Sequence, residues 1–186
     1  VTKESESETG HFYSMVPRLR VEAVSKIPPT IIQKLLYLFT GRKKDVDAEG
    51  ELKSGDVILT IADLDNPTYK EFREVTTQYE DKEMPIRVLR SGANGTEEEL
   101  IIKVTPKYSP KNKKVVIGIS LVPMFDAEHP VVAKTIAAEG GPPALAIPRG
   151  AVITAVNATT VSSFYDVIRV IRQNVGRQVT IHYQLD

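Results

Sequence analysis

The chemistry open to this chain depends first on its histidines, because histidine is the side chain most often used for acid–base and metal chemistry near neutral pH. There are three, at His11, His129 and His182. A zinc-binding helix would carry two of them in a His-Glu-x-x-His pattern that places both imidazoles on one face, but these three are scattered. No Gly-x-Ser-x-Gly sequence supports a serine nucleophile, and the chain has no cysteine for thiolate ligands or disulfides. We therefore expect no catalytic residue and no metal site in this chain.

Phosphate and calcium sites are also not expected. Gly140-Gly141 could open a phosphate-binding loop, but Pro142-Pro143 follows and offers no backbone N–H groups to an anion. The acidic residues that alternate between Asp45 and Glu51 lack the glycine and the terminal glutamate of a calcium loop. We interpret them as part of a solvated charged loop.

Composition limits the function classes further. The chain has 186 residues, of which 41% are hydrophobic and 26% are charged, and its formal net charge is zero. A neutral chain has no long-range attraction for nucleic acid or for an anionic membrane surface. No apolar run approaches the roughly 20 residues of a membrane span, and the chain begins at Val1 without a signal-peptide pattern. We expect a soluble piece of a longer protein that binds no nucleic acid.

The most informative feature is an internal repeat. Leu52–Ile61 has the pattern of a polar turn followed by a strand, and Ile147–Val156 repeats it without a gap. The offset of 95 positions takes Gly55 to Gly150, and it also carries a helical pattern and a further strand onto second copies. A gapless match over a turn, a strand, a helix and another strand predicts two copies of one small domain.

Each copy is expected to contain short, mostly antiparallel strands and one main helix. Apolar residues at three- and four-residue spacing predict helices from Tyr69 to Tyr79 and from Ser163 to Asn174. The strands are predicted at Phe12–Val16, Leu19–Val24, Val57–Ile61, Ile86–Val88, Leu100–Val104, Val115–Val122, Pro130–Ile136, Val152–Val156 and Gln178–Tyr183.

The domain boundaries follow from two irregular stretches. A further helix, Ile31–Phe39, would lie in an insertion at about residues 30–50 that only the first copy has. The polar stretch Lys107–Lys114 is interpreted as a linker, which puts the two domains at residues 1–110 and 111–186.

The repeated stretch resembles a known family. Leu52-Lys53-Ser54-Gly55-Asp56-Val57-Ile58-Leu59-Thr60-Ile61 resembles the Leu-Lys-x-Gly-Asp-x-Ile-x-x-Ile signature of PDZ domains. The second copy, Ile147–Ile153, keeps the glycine and the apolar positions, with Ala151 in place of the aspartate. The resemblance implies an α+β, mostly β fold, in which each domain is a small antiparallel β-sandwich or partial barrel capped by helices. It also implies a groove between a strand and the helix, where an extended peptide adds as an extra strand.

The same resemblance assigns candidate peptide-binding residues. In the second copy the carboxylate-binding loop falls on Ile117-Gly118-Ile119, whose backbone N–H groups would form an anion nest. In the first copy it falls on Gly10-His11-Phe12, which departs from the family pattern. The implied helix walls are Phe164, Val167, Ile168 and Ile171 in the second copy and Phe72, Val75, Thr76 and Tyr79 in the first. Plain core packing is the alternative interpretation of each of these helix residues.

A second resemblance concerns the parent protein. Ile101–Lys107 followed by Val116–Ile119 is similar to the Val-Thr-Pro … Ile-Gly-Ile passage of bacterial site-2 proteases, the intramembrane zinc metalloproteases of the RseP type. This implies a non-catalytic PDZ pair on the extracytoplasmic (periplasmic) face of the inner membrane, with zinc and the catalytic residues in the parent's membrane domain. Its partners would be that membrane domain and peptide or protein substrate segments, whose access it would gate in regulated intramembrane proteolysis.

Two alternatives remain open for the parent protein. One is the PDZ tail of a DegP-like periplasmic serine protease, which would have a trypsin-like domain upstream. The other is a scaffold that tethers partners through their peptide tails, without any protease domain.

Overall fold

The computed structural model describes residues 15–25, 51–92, 94–137 and 144–185. The predicted helix Ile31–Phe39, the insertion around it and the first-copy loop Gly10-His11-Phe12 lie outside these residues. The strands are β1 (Met15–Pro17), β2 (Leu19–Val24), β3 (Val57–Ile61), β4 (Leu64–Asp65), β5 (Met84–Ser91), β6 (Glu97–Val104), β7 (Lys107–Ser109), β8 (Lys114–Val116), β9 (Ile119–Pro123), β10 (Val132–Thr135), β11 (Val152–Val156), β12 (Thr159–Thr160) and β13 (Ile181–Gln184). The helices are α1 (Tyr69–Gln78) and α2 (Phe164–Gln173).

The fold is mostly β with antiparallel sheets, as the sequence predicts. β3, β4 and α1 recur as β11, β12 and α2, with every bound shifted by 95 residues. The predicted bounds of β2, β3 and β11 are confirmed, and both helices begin and end within one residue of their predicted limits.

Both helices begin with a hydroxyl side chain as N-cap. Thr68 is the N-cap of α1, and its hydroxyl accepts a hydrogen bond from the backbone N–H of Glu71, whose carboxylate in turn accepts one from the Thr68 N–H. Ser163 accepts a hydrogen bond from the N–H of Asp166 in the same way at α2. These side chains satisfy N–H groups that an α-helix leaves without partners in its first turn.

The sheets do not divide along the chain in the way the repeat does. The largest has the order β6-β5-β3-β2-β9, with β4 paired to β3. The second copy contributes β12-β11-β13, and β1 pairs with β10. β9 belongs to the second half of the chain but pairs with β2 of the first half. β1 belongs to the first half but pairs with β10 of the second half. The two copies therefore exchange strands.

Because of the exchange, each core contains residues from both halves of the chain. Ile119 and Leu121 of β9 pack against the first core, which is built around β3, β5 and α1. Met15 of β1 is buried in the second core, around β11 and α2. The predicted division at residues 110 and 111 therefore does not follow the cores, since each proposed domain lends a strand to the other.

The junction between the exchanged strands and the repeat is itself repeated. The N–H of Gly55 donates to the carbonyl of Val21 at 2.8 Å, and the N–H of Gly150 donates to that of Val132 at the same distance. Both glycines have a positive φ, 95° and 85°, which side chains rarely tolerate. Val21 and Val132 thus hold equivalent places, although the chain reaches them by different routes.

The stretch Lys107–Lys114, predicted to be a linker, is instead most of a β-hairpin. β7 and β8 pair antiparallel, with Lys107 opposite Val116. The hairpin is connected to the turn after α1 by the side chain of Asp81, which accepts a hydrogen bond from Lys107 Nζ at 2.6 Å. The predicted strand Val115–Val122 is likewise divided, because Gly118, with φ of 76°, turns the chain between β8 and β9.

One buried ion pair distinguishes the two cores. Asp56 follows the turn into β3 and is 1% exposed, and its carboxylate accepts two hydrogen bonds of 2.7 Å from the guanidinium of Arg90 on β5. This pairing raises the pKa of Arg90 above its usual value. The repeat places Ala151 and Leu185 at the equivalent positions, so the second core lacks the pair.

Candidate functional site

The clearest candidate for a binding surface is a groove between α1 and the segment that runs from β8 into β9. We call it the α1–β9 groove. Tyr69, Phe72, Arg73 and Thr76 line it from the helix, and residues 114–117 with Ile119 and Leu121 line it from the strands. The helix wall and the strand wall come from opposite sides of residue 110, so the groove exists only because of the strand exchange.

The floor of the α1–β9 groove is apolar. Phe72 is 4% exposed and belongs to the first core, and Ile119 and Leu121 pack against that core. Thr76 is buried, and its hydroxyl donates to the carbonyl of Phe72 at 2.7 Å. Because that donor is already used within the helix, the floor offers a ligand apolar contact rather than hydrogen bonds.

The hydrogen-bonding groups of the groove belong to the open edge of β9. Toward β2, the carbonyl of Gly118 accepts from the N–H of Ser25 at 2.6 Å, and the N–H of Met124 donates to the carbonyl of Arg18 at 2.8 Å. Pairing alternates along an antiparallel strand, so residues between these two positions alternate as well. Ile119 and Leu121 therefore direct their backbone N–H and C=O groups away from β2, toward the edge where no further described strand pairs.

The two edges of the large sheet differ in charge. β6, at one edge, carries Glu97, Glu98, Glu99 and Lys103. β9, at the other, reads Ile-Ser-Leu-Val-Pro and has no charge. Charged side chains on an edge strand oppose pairing with another chain. Of the two edges, β9 is therefore the one suited to accept an added strand.

The structure corrects the predicted pairing of loop and helix. Ile117 and Ile119, on either side of Gly118, line the groove beside α1, the first helix, and pack against the first core rather than the core of α2. Phe164, Val167 and Ile171 of α2 are buried in the second core, and Ile168 is half-buried.

The first-helix candidates divide into two groups. Phe72 and Thr76 line the α1–β9 groove. Val75 and Tyr79 are half-buried and pack against the first core outside the groove lining. Core packing, the alternative interpretation, accounts for these two and for the buried residues of α2.

The second copy clamps the helix wall of the groove. Glu71 of α1 accepts hydrogen bonds from Arg149 Nη2 at 2.9 Å, Arg149 Nη1 at 3.1 Å and Lys134 Nζ at 2.7 Å. Partial burial alone would raise the pKa of Glu71, but these bonds and those from Thr68 outweigh it and hold the pKa well below its usual value. Arg149 also donates to the carbonyl of Asn66 at 2.7 Å. One carboxylate thus fixes the start of α1 to the turn and the strand of the second copy.

The clamp and the cations Arg73 and Lys114 on the groove were not predicted. A signal for part of the clamp was present, because Thr68 followed three residues later by Glu71 is a capping-box pattern. Arg149 gave no such signal, since its partner lies 78 positions away in the sequence.

The groove does not fit a small-molecule cofactor. Its enclosed part is about 70 Å³, whereas sites for drug-sized ligands are roughly 300–1,000 Å³. Among the described residues, no three histidine, cysteine, aspartate or glutamate side chains are grouped to hold a metal ion. No helix in the described ranges is long and apolar enough to cross a membrane.

No protein-family model matches the chain, and no curated protein matches it.

Proposed function

We propose that this chain is a non-catalytic pair of PDZ-like domains that binds extended peptide segments in the α1–β9 groove. The observation that carries the proposal is the uncharged open edge of β9 beside an apolar helix face. An extended segment adds there as a further strand, in the recognition mode where backbone hydrogen bonds give affinity and side-chain pockets give specificity. Ile119 and Leu121 would supply the backbone donors and acceptors.

The groove is preorganised for this mode. Gly118 turns the chain at the start of β9, and the hydrogen bond from Ser25 to its carbonyl holds that turn against β2. On the other wall, the clamp on Glu71 fixes the first turn of α1. Because both walls are held before a ligand arrives, less conformational entropy is lost on binding.

As to the parent protein, we propose a bacterial membrane-bound zinc metalloprotease of the site-2 type, with this pair on the extracytoplasmic face. The support is the resemblance of Ile101–Lys107 and Val116–Ile119 to a passage of that family. The described residues do not fit a zinc site, so zinc would be held by the parent's membrane domain. In that setting the pair binds substrate segments or gates their access to the protease, and takes part in no chemical step.

The proposal is tested with a library of fluorescently labelled peptides, each made with a free and with an amidated C-terminus. Micromolar binding to wild type that is lost in Leu121→Pro is the expected result, because proline removes the N–H that Leu121 directs to the open edge. Leu121→Ala is the matched control, since it removes the same side chain but keeps the N–H. Equal losses of affinity in the two variants would contradict pairing at β9. Wild-type binding to the peptides with a free C-terminus but not to the amidated ones would show that the terminal carboxylate is recognised as well.

A further inference from the structure

Two cationic side chains, Arg73 and Lys114, line the α1–β9 groove, and the apolar core beneath it has no acidic residue, among those described, to pair with them. We propose, on the basis of the peptide-binding function above, that this groove selects extended segments in which a small aliphatic side chain is flanked by acidic ones. Arg73 of α1 and Lys114 of β8 would contact the acidic side chains. The aliphatic side chain would enter the apolar space above Phe72.

The two cations belong to opposite walls of the groove lining. Arg73 lines it from the helix and Lys114 from the hairpin, and both are exposed. Neither side chain has a hydrogen bond or ion pair with another described residue. Exposed cations that line an apolar groove from both walls favour a ligand of opposite charge.

Two neighbouring cations, by contrast, have acidic partners. Lys70 on α1 lies 3.9 Å from Glu74, and Lys107 on β7 lies 2.6 Å from Asp81. Arg73 and Lys114 are the two cations that line the groove, and no such partner in the described part of the chain neutralises them. Their charge is a local feature, because the chain as a whole is neutral.

The second copy shows that the fold does not require this charge. The repeat places Ile168 at the position of Arg73 and Tyr165 at that of Lys70. α2 has the same length and the same kind of N-cap as α1 without either cation. A helix of this kind therefore does not require a cation at position 73.

The size of the groove limits the apolar part of the ligand. The space between Phe72, Ile119 and Leu121 and their neighbours is about 70 Å³, far below the roughly 300–1,000 Å³ of sites that hold drug-sized ligands. It therefore favours a small aliphatic side chain over an aromatic ring.

An anionic membrane surface is the competing partner for these cations, because the hairpin also carries Lys111 and Lys113. The positions of Arg73 and Lys114 favour a peptide over a membrane surface. Arg73 and Lys114 line a groove beside an open strand edge, where an extended chain is held on both sides. A lipid headgroup would need no such edge.

The test compares peptides of one length in which a central valine is flanked by glutamate, glutamine or lysine, each made with an amidated and with a free C-terminus. We expect the glutamate peptide to bind wild type roughly two- to thirtyfold more tightly than the glutamine peptide, which is the range for two exposed ion pairs. This preference should fall at high salt. In the double variant Arg73→Glu, Lys114→Glu the order should invert, with the lysine peptide bound best. Arg177→Glu, an exposed change in the second copy, should leave the preference unchanged.

Each other outcome has a definite meaning. Equal affinity for the three peptides would overturn the charge selection and leave peptide binding in place. Binding of none of them, with either a free or an amidated terminus, would overturn both proposals. A glutamate preference found only with free termini would assign the charge to the terminal carboxylate. Binding to phosphatidylserine vesicles that the double variant abolishes, without a peptide preference, would assign the cations to a membrane surface.

Discussion

The buried pair of Asp56 and Arg90 gives a prediction for which the chain supplies its own control. Asp56→Ala removes both hydrogen bonds between this carboxylate and the Arg90 guanidinium, whose side chain is 16% exposed, and leaves it the carbonyl of Glu51 at 2.8 Å and the charge of Glu98. Breaking a buried ion pair on one side costs about 3–5 kcal/mol, because a charge is left without compensation. We therefore expect Asp56→Ala to lower the free energy of unfolding of the first core by about that amount.

The double variant Asp56→Ala, Arg90→Leu reproduces the second copy, where Ala151 and Leu185 stand at these positions. Replacing both partners of a buried pair is often close to neutral. The double variant should therefore recover at least about 2 kcal/mol of the loss. The assay is urea unfolding followed by far-UV circular dichroism, since the chain has no tryptophan. A double variant as unstable as Asp56→Ala, or less stable, would refute the reasoning.

Three further predictions concern the connection between the copies. Because the pKa of Glu71 is lowered on folding, its stabilising effect is full above about pH 4.5 and is lost as the pH falls further. Glu71→Gln should therefore reduce the loss of unfolding free energy at acid pH, measured by urea unfolding at a series of pH values. A variant that loses stability with falling pH as steeply as wild type would contradict the clamp. Gly55→Ala and Gly150→Ala both force an L-residue to a positive φ, but only at Gly150 does the new Cβ meet a neighbour, Asn66 Nδ2 at 3.2 Å. Gly150→Ala should therefore be the more destabilising by calorimetry, and the reverse order would count against the copy interface. The third prediction concerns two fragments, residues 1–110 and 111–186, produced separately. They should give dispersed NMR spectra only after mixing, because they exchange β1 and β9. Independent folding of either fragment would argue against the exchange.

Local structure could be predicted from the sequence because its signals are local. The helix pattern from Tyr69 and the turn at Gly55 depend on residues close in the chain, and β3 follows that turn directly. Asn94-Gly95 is likewise a local signal, typical of a tight hairpin turn, and in the structure the N–H of Gly92 donates to the carbonyl of Thr96 at 2.7 Å. Periodicity and turn residues are sufficient for such elements.

The partner of each exchanged strand could not be predicted in the same way. Ile119 and Leu121 lie on either side of the exposed Ser120, and that pattern indicates that one face is buried without showing in which core. The repeat suggested that sequence order and core membership coincide. The structure pairs β9 with β2 instead, so the candidate groove moved from α2 to α1.

The hairpin of β7 and β8 was missed for a different reason. Four lysines and a proline between Lys107 and Lys114 have the composition of a linker. The stretch is held by pairing with Val115 and Val116 and by the Asp81 contact. The composition of the stretch does not reveal either of these tertiary interactions.

Amide hydrogen exchange of the β9 backbone, measured by NMR with and without a bound peptide, tests the central claim most directly. Peptide addition at the open edge should protect the amides of Ile119 and Leu121, which face that edge. The amides of Ser120 and Val122 should change little, since the alternation already pairs them with β2. Protection with this two-residue period is the result that β-strand addition predicts. Peptide binding that leaves Ile119 and Leu121 as they were would place the ligand elsewhere and contradict the proposed function.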